Sequence, residues 1–163
     1  MRNKIGVIGA GLVGATAAFA LSQSGLASEI VLIDANAQRA RGEALDIEHG
    51  AALAPPVLVR DGDYPDLAEA HLVIIAAGAN QKSGETRMDL AQKNLAVIDS
   101  IVPQVARYAP ECVLLVVSKF VNSQAAAVAI ILPVALQVGV PTGIELVEKT
   151  GRPVIVVSID EHG

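Results

Sequence analysis

Three glycines and one carboxylate hold the first chemistry legible in this chain. Gly9, Gly11 and Gly14 stand in G-x-G-x-x-G spacing, and Asp34 follows twenty positions after the last of them. The apolar run Ile5-Gly-Val-Ile8 precedes the glycines, and the small residues from Ala15 to Leu21 follow. That context reads as a buried strand, a tight turn and the opening of a helix. Gly9 permits the turn, Gly11 lets backbone approach a ligand with no Cβ in the way, and Gly14 lets helix and strand pack closely. Orphan N–H groups and the positive end of the helix dipole then face outward, which suits a pyrophosphate. Asp34 ends a second apolar run, Glu29-Ile-Val-Leu-Ile-Asp34. Its carboxylate can accept hydrogen bonds from a ribose diol and would repel a 2′-phosphate. The expectation is a dinucleotide site that takes NAD in preference to NADP. The alternative is a coincidental tight turn, against which the strand–turn–helix–strand context argues.

A second polar group lies in Ala77-Gly-Ala-Asn-Gln-Lys-Ser-Gly-Glu-Thr-Arg87, with Lys93-Asn94 beyond it. With Gly9-Ala-Gly-Leu-Val-Gly14, Asp34, Asp46-Ile-Glu-His-Gly50 and Val102-Pro103, this stretch resembles the NAD-dependent L-lactate and malate dehydrogenase family, nearest its bacterial lactate-type members. The resemblance covers residues 4 to 118. It implies that Leu12, Val13, Asp34, Arg39, Tyr64, Ser100, Val117 and Ser118 join the glycines in contacting the dinucleotide, and that Ala77, Gly78 and Ala79 pass close to it. It implies that Gln81 selects substrate: malate-type sites usually place an arginine there for a second carboxylate, and a neutral glutamine leaves that charge unpaired. Arg87 matches the arginine that polarises the substrate carbonyl. Ser83-Gly84 suits a loop that closes over a small 2-oxo or 2-hydroxy acid.

The departures are as informative. The family continues after its fifth strand with Ser-Asn-Pro-Val-Asp; this chain reads Ser118-Lys119-Phe120-Val121-Asn122. Lys119 could pair with a carboxylate or phosphate, yet it cannot reproduce an amide's donor and acceptor. Beyond Ser118 the resemblance fades. The resemblance implies a second, substrate-binding domain that carries the family's carboxylate clamp and aspartate–histidine relay, and residues 119–163 are not expected to supply it. His162, in Glu161-His162-Gly163, reads as a polar tail and not as a general base, which needs a positioned carboxylate.

These groups need a scaffold that brings several loops to one edge, and the alternation of apolar runs with helical patterns supplies one. Strands are expected at about 4–9, 29–34, 57–60, 72–76 and 113–117. Helices are expected at about 12–24 (closed by Gly25), 36–49 and 86–108. In the helix at 36–49, Ala40, Ala44, Leu45 and Ile47 share one face. Pro55-Pro56 breaks the chain before the third strand, and Asp61-Gly-Asp-Tyr-Pro65 is a polar loop. Then come a helix capped by Asn122 or Ser123, a short helix at 142–150 stopped by Gly151, and a sixth strand at 152–158. Together these make an α/β fold: one Rossmann domain over residues 1–163, a doubly wound parallel sheet of about six strands, with 119–163 an atypical segment completing the sheet.

Composition agrees. A chain of 163 residues is one domain by size, and 52 % of it is apolar with two Phe, two Tyr and no Trp. A core of Ala, Val, Leu and Ile suits parallel strands buried on both faces. The net charge of −5 argues against nucleic acid as a partner. The single Cys112 excludes an internal disulfide framework, fits a cytoplasmic location and reads as a small apolar residue beginning a strand. Ala125 to Val140, interrupted by Pro133 and Gln137, falls short of a membrane-spanning helix. His49 and His71 lack metal-ligand spacing, so no metal is expected.

Three functional readings follow from the sequence. The first is an NAD(H)-binding module, truncated, recombined or engineered, with little or no turnover. The second is a minimal L-lactate dehydrogenase interconverting lactate and pyruvate through Arg87 with help from Lys119 or a partner subunit. The third is a structural scaffold with incidental nucleotide affinity. The resemblance also implies a homo-oligomer paired through the helix at 36–49, with Ala125 to Val138 a second candidate surface.

Overall fold

A computed structural model describes residues 3–51, 54–79, 84–118 and 154–158. Strand β1 (Lys4–Ile8) leads into helix α1 (Leu12–Ser24), and β2 (Glu29–Ile33) into α2 (Ala37–Gly50). Next come β3 (Leu58–Asp61), a 3-10 turn (Tyr64–Leu67), β4 (Leu72–Ile75), helix α3 (Arg87–Tyr108), β5 (Val113–Ser118) and β6 (Val154–Ser158). The strands form one sheet in the order β3-β2-β1-β4-β5-β6, and every neighbouring pair is parallel. Strands β1 and β4 are adjacent although α1, β2, α2 and β3 separate them in sequence. The order therefore reverses between them, and that is where an open α/β sheet has its crevice.

The helix ends obey local chemistry. Gly25 closes α1 in the left-handed region at φ 71°, a conformation glycine adopts without a Cβ penalty. Asn36 caps α2 by accepting the Arg39 N–H, and Thr86 caps α3 reciprocally with Asp89. Among the described residues the expected elements are present, with ends shifted by one or two residues. The segment from 61 to 65 differs from expectation: Asp63, Tyr64, Pro65 and Asp66 make a capping box that winds Tyr64–Leu67 into a 3-10 turn. The helices expected after Asn122 and at 142–150 lie outside the described residues.

Side chains alternate across the sheet and build one core on each face. Val7, Ile30, Leu32, Val59 and Ile74 pack beneath α1 and α2, meeting Ala18, Ala40, Ala44 and Ile47. Ile8, Val31, Ile33, Val73, Ile75 and Val116 face the other way, against Leu67 and the Ile98, Ile101, Val102, Val105 stripe of α3. Small helix residues let α1 and α2 lie close to the sheet, which explains an aromatic-poor core. Leu45 departs from the sequence reading. It is 43 % exposed, because buried positions 40, 44 and 47 follow the helical repeat and 45 falls about 100° from 44. Leu67 is fully buried beneath β1, where a Cβ on Gly6 would lie 2.3 Å from its Cδ2.

Candidate functional site at the carboxyl edge of the sheet

A parallel sheet puts all of its carboxyl ends on one edge. Gly9 to Gly11 follow β1, Asp34 follows β2, Ala76 to Ala79 follow β4, and Ser118 ends β5. These are the loops that border the β1–β4 crevice.

The turn after β1 is tightly built. Gly9 has φ +101°, and a Cβ there would meet the Ala77 nitrogen at 2.5 Å. Its N–H donates to the Ile33 carbonyl at 2.7 Å. A Cβ on Gly14 would lie 1.8 Å from the Gly9 carbonyl oxygen, so α1 can start this close to β1 only with glycine there. Gly11 is the opposite case, for nothing lies within 4 Å of where its Cβ would be. It faces open space at the N-cap of α1, with no side-chain cap and no acid in the first turn. The first-turn N–H groups therefore form an uncapped, partially positive end, the property that receives an anion. Leu12 and Val13 are 88 % and 46 % exposed beside it.

Asp34 sits just past the end of β2, half-buried. Its Oδ2 accepts the Ala10 N–H and its Oδ1 the Asn36 N–H, both at 2.8 Å. Each oxygen keeps a second lone pair for a hydroxyl donor. Arg39 follows in the first turn of α2, on the same edge, with an exposed side chain.

On the β4 side, Asn94 organises the loop from beneath. It is 2 % exposed on α3; its Oδ1 accepts the Ala79 N–H at 2.7 Å and lies 3.3 Å from where a Gly78 Cβ would be. The sequence reading passed over this role, although a signal was present: Asn94 is a polar residue on the apolar stripe Leu90, Ile98, Ile101. Ala77 is half-buried against the core.

The remaining sequence candidates are distributed unevenly. Tyr64 starts the 3-10 turn after β3 and packs against the core; burial, with the Asp63 charge, holds its hydroxyl above the ordinary tyrosine range. Ser100 is exposed three turns into α3, its Oγ donating to the Val97 carbonyl of its own helix. Val117 and Ser118 pair with Val157 and Ser158 of β6. Arg87 is the first residue of α3. Gln81, Lys119 and His162 lie outside the described residues. His49 ends α2 and His71 precedes β4, so both lie on the opposite, amino edge. Among the described residues no group of three His, Cys, Asp or Glu is placed to hold a metal. No helix among them is long and apolar enough to cross a membrane.

The turn geometry fits a dinucleotide: open space at Gly11, an uncapped helix start and an adjacent carboxylate. Comparison with known proteins agrees. Residues 3–140 match the family model of the lactate/malate dehydrogenase NAD-binding domain, so the match runs on past Ser118. The L-lactate dehydrogenase 1 of Clostridium acetobutylicum is 55 % identical over 120 residues, which are 74 % of this chain and 38 % of that protein. The L-lactate dehydrogenase of Clostridium perfringens is 52 % identical over the same extent. Among solved structures, the minor L-lactate dehydrogenase of Enterococcus mundtii superposes with a TM-score of 0.74 at 35 % identity, covering 86 % of this chain and 43 % of that one. The malate dehydrogenase of Archaeoglobus fulgidus, solved with NADH, gives 0.71 at 35 % identity, covering 80 % of this chain and 44 % of that one. The chain thus spans 38 % of the length of the curated relatives it matches. With this sheet, this glycine turn and this match, the chain belongs to the lactate/malate dehydrogenase family, through that family's NAD-binding domain.

Proposed function

We propose that these residues bind NAD(H), with the pyrophosphate against the amides of Gly11 to Val13 and the adenosine ribose on Asp34. By themselves they exchange hydride with a substrate little or not at all. The carrying observation is the pairing of an open Gly11 cradle with a carboxylate whose two oxygens are fixed by backbone donors. Arg39 and Tyr64 extend the adenosine side. Gly78, Ala79, Val117 and Ser118 line the path toward the nicotinamide, whose chemistry when bound is to give or accept hydride. Residues 119–163 act in this reading as the segment that completes the sheet through β6.

Low turnover is inferred from the described residues of the edge. Reduction of a 2-oxo acid needs a carbonyl polariser, a carboxylate clamp and a proton donor in one geometry, and losing members of such a set removes most of the rate. Among the described residues neither histidine, His49 or His71, is on the carboxyl edge, and Lys119-Phe120 stands where the family has Asn-Pro. Calorimetry with NAD tests the binding: saturable heat is expected, and none on folded protein refutes the reading.

A second reading has its own support. Gln81 and Arg87 match lactate-type positions, and the similar clostridial proteins are L-lactate dehydrogenases. In that case the chain interconverts pyruvate and lactate, with Arg87 polarising the carbonyl. Following NADH absorbance after addition of pyruvate separates the two, since robust saturable oxidation supports the second. Self-association belongs to both readings. Phe19 and Leu45 are 47 % and 43 % exposed on the outer faces of α1 and α2, and exposed apolar surface of that kind tends to be covered by a partner. Light scattering across a concentration series reads it directly.

A further inference from the structure

Asp34 has more to do than meet a sugar. Its two oxygens are taken by two different turns: Oδ2 by the Ala10 N–H inside the glycine turn, Oδ1 by the Asn36 N–H that opens α2. Ala10 is fully buried, so with Asp34 removed its N–H would have to find another partner away from water. Asn36 in turn accepts the Arg39 N–H. One side chain therefore ties the phosphate-facing turn after β1 to the first turn of the neighbouring helix. Gly9, held against Ile33 and packed on the backbone of Ala76 and Ala77, fixes only the near side of that turn. Ala10, the link to the Gly11 cradle, is held on the far side by Asp34.

We propose that Asp34 is a positioning residue for the phosphate turn in addition to a partner of the ribose. Its contribution to cofactor affinity then extends to ligands that carry no ribose diol. This rests on the binding reading above and deepens it. It also carries a consequence for specificity. Exchanging the carboxylate for a small neutral residue, the obvious way to admit a 2′-phosphate, loosens the cradle that must hold the pyrophosphate. Cofactor preference and cradle geometry are coupled through one side chain.

The test compares ADP with 2′,3′-dideoxy-ADP, which keeps the diphosphate and lacks the diol. Dissociation constants are measured by calorimetry for the unaltered chain and for Asp34→Ala, with circular dichroism and melting temperature confirming the fold. If Asp34 touched only the ribose, the variant would lose affinity for ADP and bind the dideoxy compound as before. The proposal expects dideoxy-ADP to weaken by about tenfold, the worth of one charge-assisted hydrogen bond lost from the turn, and ADP to weaken further. Unchanged dideoxy-ADP affinity in folded Asp34→Ala overturns it. Should Asp34→Ala not fold, a second measurement needs no variant: the NMR scalar coupling across the hydrogen bond from the Ala10 nitrogen to the Asp34 carboxylate carbon. That coupling is expected with and without ADP, and its absence overturns the proposal. Failure of the underlying reading looks different, because the unaltered chain would then bind neither nucleotide.

Discussion

At the scale of single residues, the glycines separate by what their missing Cβ would touch. Gly11 opens on empty space and Gly14 on the Gly9 carbonyl oxygen at 1.8 Å, so equal substitutions have unequal effects. Gly11→Ala is expected to leave stability within about 0.5 kcal/mol while weakening NAD by tenfold or more, because in the proposed pose the methyl would enter the space of the phosphates. Gly14→Ala is expected to cost about 1–3 kcal/mol of stability, since backbone has to move. Thermal melts paired with calorimetry distinguish these outcomes, and similar melting temperatures for the two variants would contradict the geometry. Asn94 gives the complementary case. Replacing it with Leu keeps much of its volume and removes the acceptor for the Ala79 N–H, at about 1–3 kcal/mol for a buried donor left unpaired. Asn94→Asp keeps an oxygen there and should lose less in a urea titration. The glycine spacing and Asp34 were legible in the sequence because their chemistry is local. Asn94 was not, since its partner lies fifteen residues away and only the fold shows which side of the helix is buried.

At the scale of elements, helix starts could be read from their caps and short turns could not. Asn36 and Thr86 announce α2 and α3 by residue type. Thr86→Ala is expected to lower stability by about 1 kcal/mol, read from the urea midpoint. The 3-10 turn Tyr64–Leu67 is too short to show a period, and it depends on Asp66. That carboxylate accepts the Asp63 N–H and the Arg60 guanidinium, and Arg60 also pairs with Glu29 on β2. The Asp63 N–H foremost, then Arg60, holds the Asp66 carboxyl below its ordinary range. A carboxyl lowered by folding stabilises the native state fully above its unfolded value and loses that contribution as pH falls through the folded one. Asp66→Asn should therefore cost stability at neutral pH and progressively less as pH falls through the folded-state value, below which both side chains are uncharged. The difference stays under about 1 kcal/mol because the pair is partly exposed to solvent. A constant difference across that range, measured by denaturant melts at each pH, would show that the charge is not involved.

At the scale of the whole molecule, the strand order places the site. Alternation of apolar runs with helical segments was enough to foresee a doubly wound sheet, and β6 pairing beside β5 fits the sixth strand read near the C-terminus. What the sequence alone left open was how the loops meet. Gly9 presses on Ala77 and Ala10 reaches Asp34 only because β4 and β2 flank β1 on either side. A ligand seated there contacts loops from separate strands, so its binding energy is felt by the sheet as a unit. NAD at a hundred times its dissociation constant should add about 2.7 kcal/mol to stability, or roughly 5–10 °C in melting temperature for a chain of this size. With the ribose on Asp34 as proposed, NADP at the same concentration should give a much smaller rise, since its 2′-phosphate would meet the carboxylate instead of offering it a hydroxyl. Equal shifts from the two cofactors would mean that the ribose lies away from Asp34. The carboxylate would then keep only its hold on the two turns, and selectivity would have to come from another part of the edge.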